Sequence, residues 1–99
     1  MATNFRITVH RNGENLHLKL TGDFDGTSAH ELLNILKKRA DHTSRALIHT
    51  GSLRSIHPFG LKVFHANLDV LKGKSVELIF TGEHAPQFEP ISSKGSLNP

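Results

Sequence analysis

Two runs of strictly alternating residues flank an Asn12-Gly13 pair, and no other feature limits the fold as much. Phe5, Ile7 and Val9 alternate with Arg6, Thr8 and His10, while Leu16, Leu18 and Leu20 alternate with His17, Lys19 and Thr21. A period of two marks a strand with one buried face, and Asn-Gly between two such runs is a strong hairpin signal. With Asn12 and Gly13 as the loop, Val9 falls opposite Leu16, Ile7 opposite Leu18 and Phe5 opposite Leu20, so the apolar side chains share one face. Arg6, His10, His17 and Lys19 take the other, solvated face.

Beyond the hairpin the period changes. Ser28 and Glu31 make an S-x-x-E capping box, and Ala29, Leu32, Leu33, Leu36 and Ala40 then repeat at helical spacing with Ile35 beside them. This predicts a helix over 28–40. Ala46-Leu47-Ile48 within 45–50, and Val76, Leu78, Ile79 and Phe80 within 75–81, are short apolar runs suited to strands covered by other elements. Between them Pro58 stands at a first helical position, Leu61, Phe64, Leu68 and Leu71 follow, and Gly73 stops a second helix of about 15 residues. The order is a hairpin and then two βα crossover units, hence an α/β domain with a four-stranded mixed sheet and both helices on one face. Residues 83–90 read as a loose turn or short helix from which Phe88 and Ile91 can dock, giving one domain over 1–90 and a flexible tail over 91–99.

Composition removes several function classes. The chain has no Cys, which excludes disulfides, thiolate catalysis and thiolate metal sites. No run is long enough for a membrane span or a signal-peptide core, so no membrane contact is expected and a cytoplasmic protein is. Trp and Tyr are absent, and all 6 aromatic residues are Phe, which leaves little for base stacking. The net charge of +3 is densest at Lys37-Lys38-Arg39, where the cations complement the C-terminal dipole of the first helix. Nucleic acid is therefore not an expected partner.

Two constellations invite a chemical reading. Asp23-Phe24-Asp25-Gly26-Thr27 matches the D-x-D-G-T signature of haloacid-dehalogenase phosphotransferases, in which one Asp is the nucleophile and the next a general acid beside Mg²⁺. In those enzymes the nucleophile follows the apolar strand directly, whereas Thr21-Gly22 intervenes here. The later acidic residues Glu31, Asp41, Asp69, Glu77, Glu83 and Glu89 are isolated, so the second metal-binding cluster is missing. A turn leading into a helix cap explains the same residues. The second constellation is Asp25, His49 and His57, which fall near one end of the sheet and are competent metal ligands as residue types. The 8 His residues also supply groups that titrate near neutral pH.

The layout as a whole resembles the sulfate transporter and anti-sigma-factor antagonist (STAS) domains, over about residues 5–90. Members have a strand ending in G-E-L-D ahead of a helix, and this chain has Gly22-Asp23-Phe24-Asp25 ahead of Ser28-Ala29-His30-Glu31-Leu32. Members then have a strand ending in D-L-S-G and a loop reaching D-S-S-G-L; the matching stretches here are His49-Thr50-Gly51-Ser52 and His57-Pro58-Phe59-Gly60-Leu61. Gly60 and Leu61 agree with the motif. The phosphorylatable serine of the family is replaced by Pro58, and His49 and His57 stand for its two aspartates. Pro58 has no hydroxyl, so the resemblance implies no phosphorylation at that position, and neither Ser52 nor Ser55 matches the motif.

What the resemblance implies is a bacterial signal-transduction module without catalytic residues or cofactor. It would bind a regulatory protein, such as an anti-sigma factor or a related kinase-like protein, through the loops that precede the two helices. The implied docking residues are Asp23, Asp25, Ser52, Ser55, His57, Pro58, Phe59 and Gly60. Most of the family's C-terminal continuation is missing, which leaves the last strand with an edge that can also pair two copies into a homodimer. The alternatives are a metal- or small-anion-binding domain, with Asp25, His49 and His57 as candidate ligands, and a minimal phosphotransfer enzyme using Asp23 to Thr27.

Overall fold

The computed structural model describes residues 4–71 and 73–89. Its strands are β1 (Arg6–Asn12), β2 (Asn15–Phe24), β3 (Arg45–His49), β4 (Leu53–Ile56) and β5 (Glu77–Thr81). Its helices are α1 (Gly26–Arg39), α2 (Pro58–Ala66) and the short α3 (Ala85–Phe88), with 3₁₀ turns at Ala40–His42 and Leu68–Leu71. The sheet runs in the order β1-β2-β3-β5, and β4 pairs with the far end of β2. Only the β1–β2 pair is antiparallel; β2–β3, β3–β5 and β2–β4 are parallel, as two crossovers require.

The hairpin forms with the expected faces and a different register. Val9 pairs with Leu18, Ile7 with Leu20 and Arg11 with Leu16, so the loop is Gly13-Glu14 and the strands are shifted by two residues from the sequence-based pairing. A shift of two keeps every side chain on its face, so the hydrophobic pattern cannot tell the registers apart and the turn decides. Gly13 has φ +66° and, among the described residues, no non-glycine residue has positive φ, which fits Gly at the first position of a two-residue loop rather than Asn-Gly at both. Arg11 takes the place beside Leu16 and sends its guanidinium to the His42 carbonyl at 2.7 Å and to Thr43 Oγ1 at 3.1 Å. Phe5 no longer opposes Leu20; its ring meets Phe24 edge-on at 5.9 Å.

Three further expectations change. The sheet has five strands rather than four, because Leu53–Ile56 extends beside the end of β2 where a loop was expected. The first helix starts at Gly26 and is capped by Asp25, not by Ser28. The second helix stops after Ala66: the Asn67 side-chain amide donates to the Val63 carbonyl at 2.8 Å and the backbone reaches φ −112°, ψ 12°, so the remaining apolar residues continue as a 3₁₀ turn. The side-chain bond joins the last helical one, from the Asn67 N–H to the same carbonyl at 3.2 Å, and that N–H also reaches the Phe64 carbonyl at 3.3 Å in the 3₁₀ manner.

The core lies between the sheet and the helices. Leu16, Leu18, Leu20, Ala46, Ile48 and Phe80 from the strands meet Ala29, Leu32, Leu33, Leu36 and Phe64 from the helices. At one end Phe24, Phe64, Phe80 and Phe88 pack as a ring cluster, Phe24 and Phe88 at 4.9 Å in an edge-to-face arrangement. Phe88 is fully buried, so the segment after β5 docks as the sequence allowed; Ile91 and the tail lie outside the described residues. On its other face the sheet carries Arg6, Thr8, His10, His17, Lys19, His49 and Thr81, exposed or half-buried. No helix among the described residues is long and apolar enough to cross a membrane.

Candidate functional site

The first turns of α1 and α2 meet at the end of β2 and β4, and most of the residues singled out in the sequence converge there. Asp25 sits in extended backbone at the N-cap of α1 and accepts the Ser28 N–H at 3.0 Å. Ser28 is fully buried and returns its hydroxyl to Asp25 Oδ1 and to the Asp23 carbonyl, each at 3.0 Å. The capping pair is thus Asp25 with Ser28. The bond from the Ser28 backbone N–H, more than any other contact, holds the Asp25 carboxyl below its usual pKa.

Gly60 locks the second helix against the first. A Cβ at Gly60 would lie 2.8 Å from the Asp25 carbonyl carbon and 2.9 Å from its Cα, so only glycine lets the two backbones approach this closely. His57 caps α2 through the backbone alone: its N–H donates to the Phe24 carbonyl at 2.8 Å, and its carbonyl accepts the Gly60 N–H at 2.9 Å. Pro58 is at the first helical position, as the sequence indicated.

Asp23 faces away from this helix junction. Arg54 grips its carboxylate with two bonds, Nη2 to Oδ2 at 2.9 Å and Nε to Oδ1 at 3.2 Å, and Ser55 Oγ donates to Oδ1 at 2.7 Å. The Arg54 bonds are the leading reason that the Asp23 carboxyl titrates below its usual range, with Ser55 second; the same pairing raises the pKa of Arg54. Both carboxylates of the D-x-D-G-T stretch therefore have definite structural partners. Ser52 is exposed in the turn before β4.

Phe59 is the outlier of the six Phe residues. The other five touch the core, whereas Phe59 is 67% exposed. Its ring edge lies over the start of α1, where a Cβ on Gly26 would come within 3.0 Å of it. Asp25, Gly26, Thr27, His30, Phe59 and Val63 line a shallow hollow of about 420 Å³ beside it. The surface thus offers one large apolar side chain at the junction of two helix N-termini, beside Thr27 and His30.

His49 is not part of this surface. It lies on the open sheet face, with Nε2 at 3.0 Å from His17 Nδ1 and Nδ1 at 2.6 Å from Thr81 Oγ1. Burial, and to a lesser degree His17, lowers its pKa. Asp25, His49 and His57 are not assembled, and among the described residues no three His, Asp or Glu side chains form a group that could hold a metal ion. The sequence reading also missed Arg54. Leu53-Arg54-Ser55-Ile56 shows no alternation of its own, and Arg54 and Ser55 come beside Asp23 only through the pairing of β4 with β2.

No protein-family model and no curated protein matches the sequence. Solved structures match its fold. A structure of Mglu aligns with TM-score 0.62 and 19% identity over 74% of this chain, and another, of its L-glutamate binding form, with TM-score 0.66 and 13% identity over 79%. The chain spans only 18% and 27% of those two Mglu chains. The anti-sigma factor antagonist SpoIIAA in its unphosphorylated form aligns along nearly its whole length: TM-score 0.57, 11% identity, 95% of this chain and 94% of that one. An uncharacterised DUF3478-family protein from Shewanella loihica PV-4, described as having a SpoIIAA-like fold, aligns with TM-score 0.52 and 21% identity over 84% of this chain and 74% of its own. The chain therefore has a STAS-like fold, that of SpoIIAA, as the order of its motifs implied.

Proposed function

We propose that this chain is a non-catalytic regulatory module that docks a partner protein through the surface where α1 and α2 begin. The observation that carries the reading is Phe59. An isolated Phe held two-thirds exposed has roughly 130 Å² of ring surface in water, and covering it is worth about 3 kcal/mol. Aromatic anchors of this kind dominate protein–protein interfaces when the surrounding groups exclude water. Asp25, Thr27 and His30 line the hollow beside it and supply the polar groups of the surface.

SpoIIAA is described as an anti-sigma factor antagonist, and a regulatory protein of that sort is the partner class we infer by analogy of fold. Regulation by phosphate at the start of α2 is not part of the proposal, because Pro58 and Phe59 supply no acceptor there. The Asp23 and Asp25 carboxylates serve the fold in this reading: one ties β2 to β4 and the other caps α1.

The test is capture from a lysate of the native cells, with cross-linking, comparing the unaltered chain with Phe59→Ala. A protein retained by the first and lost by the second supports the proposal, and equal retention by both refutes the assignment of the surface. Release of phosphate from small phosphoesters in Mg²⁺ that disappears in Asp23→Asn would overturn the non-catalytic reading.

A further inference from the structure

A second hollow, of about 490 Å³, lies at the hairpin end of β2, and all four residues that line it are of basic type: Arg11 from β1, Lys38 and Arg39 from the last turn of α1, and His42 from the 3₁₀ turn that follows. Arg45, Arg54 and Lys74 each have a carboxylate, on Glu77, Asp23 and Asp41 respectively. Among the described residues Arg11, Lys38 and Arg39 have none. The acidic residues of the adjoining segments, Glu14 and Asp41, line a separate hollow beyond His42, where Glu14 accepts the Ser44 hydroxyl and Asp41 holds Lys74.

Arg11 is held in place within this cluster. Its Nη1 donates to the His42 carbonyl at 2.7 Å and to the Gly13 carbonyl at 3.4 Å, and its Nη2 donates to Oγ1 of the buried Thr43 at 3.1 Å. All three acceptors are neutral, so they fix the guanidinium without cancelling its charge. They also occupy only the end of the group formed by Nη1 and Nη2. The side fork, made of the Nε proton and the second proton of Nη2, is left without a protein partner. The same fork on Arg54 grips both carboxylate oxygens of Asp23.

We propose that this hollow binds the phosphate group of a small molecule, with two phosphate oxygens on the side fork of Arg11 and the exposed Lys38 and Arg39 side chains closing on the others. A planar fork with two parallel donors matches a pair of phosphate oxygens, while the flexible lysine serves as a point charge beside it. Three permanent cations without carboxylates exceed what a single carboxylate neutralises and suit a ligand with two or more negative charges. The volume is that of a small-molecule site and leaves room for part of the group that carries the phosphate. No aromatic side chain other than His42 lines the hollow to stack on a base, which sets single-stranded nucleic acid aside.

The experiment is titration of the tag-free chain with sodium pyrophosphate at constant ionic strength, followed by calorimetry and by the backbone amide resonances, with thermal unfolding confirming that each variant is folded. Shifts should be concentrated in residues 11–14 and 37–43. Arg11→Lys keeps the charge and removes the fork, and should weaken binding about tenfold. Thr43→Val keeps every lining side chain and should weaken it about threefold or more, by freeing the guanidinium. Lys19→Ala and Lys62→Ala, which remove exposed charges elsewhere, should leave it unchanged. Equal affinity in Arg11→Lys and the parent would mean a diffuse basic surface and overturns the proposal, as do shifts that begin at residues 25–28 or 58–61, or no binding. A tetraglutamate peptide that binds these residues while pyrophosphate does not would also overturn it, by assigning the hollow to an acidic protein segment.

Discussion

Asp25→Ala removes the acceptor on which the start of α1 depends. Loss of an N-cap carboxylate costs about 1 kcal/mol on its own. Here the orphaned donor is the N–H of Ser28, a fully buried residue, and an unsatisfied buried donor costs about 1–3 kcal/mol, which moves the expectation to about 2 kcal/mol. For a domain of this size that is a fall in Tm of roughly 10 °C. Asp25→Asn keeps an acceptor at the same place and should lose less than half as much. Ser28→Ala leaves the Asp25 acceptor facing the same N–H and removes only the hydroxyl, so about 1 kcal/mol is expected. Urea unfolding of the three variants at neutral pH orders them. A large loss in Ser28→Ala with none in Asp25→Ala would refute the cap assignment and return the helix start to Ser28.

Gly60→Ala should destabilise by about 1–3 kcal/mol, because the added Cβ meets the backbone of Asp25, which cannot swing aside; an unchanged urea midpoint would show that the helix junction is looser than described. Gly26→Ala is the control, since its Cβ meets the exposed ring edge of Phe59, which can move, and Val63 Cγ2 at an ordinary 3.8 Å, and it should be close to neutral. Stability should also fall with acid in two windows. His49 has a lowered folded pKa, so the unfolded chain takes up its proton first: stability is full above about pH 6.5 and declines as pH falls below it through the folded value. Asp23 and Asp25 are lowered in the same sense, and their contribution is lost below about pH 3.8 as pH passes through their folded values. Unfolding curves for the parent and for His49→Ala separate the upper window, and an identical slope above pH 5 in both would contradict the assignment to His49.

What the sequence makes legible follows its periodicities. Leu16, Leu18 and Leu20 announce a buried strand face, and Ala29, Leu32, Leu33 and Leu36 a buried helix face, and both are observed. The details that fail depend on choices the period does not make. Two hairpin registers share one set of faces, and Gly13 alone separates them. Asp25 and Ser28 are both good capping residues three apart, so the pattern admits either as the cap. Four residues of β4 are too few to carry a period of their own, and their pairing exists only because β2 runs on past β3 to reach them. The candidate site was legible where it is local, as with Pro58, Phe59 and Gly60. The partners that reach across strands were not: Arg54 on Asp23 and His17 on His49 depend on parallel pairings fixed by the packed sheet.

The central claim is that Phe59 and the helix starts around it form the docking surface. Hydrogen exchange on the complex with the captured partner tests it most directly, read beside the unfolding free energy of Phe59→Ala. The account predicts new protection in residues 23–30 and 52–63. It also predicts little change along β1, and a Phe59→Ala variant that loses about tenfold or more in affinity while losing only about 1 kcal/mol in stability, since one-third of the ring is covered in the free chain. Protection confined to the β5 edge or the open sheet face would contradict it, as would a stability loss of about 3 kcal/mol, the value for a Phe that belongs to the core.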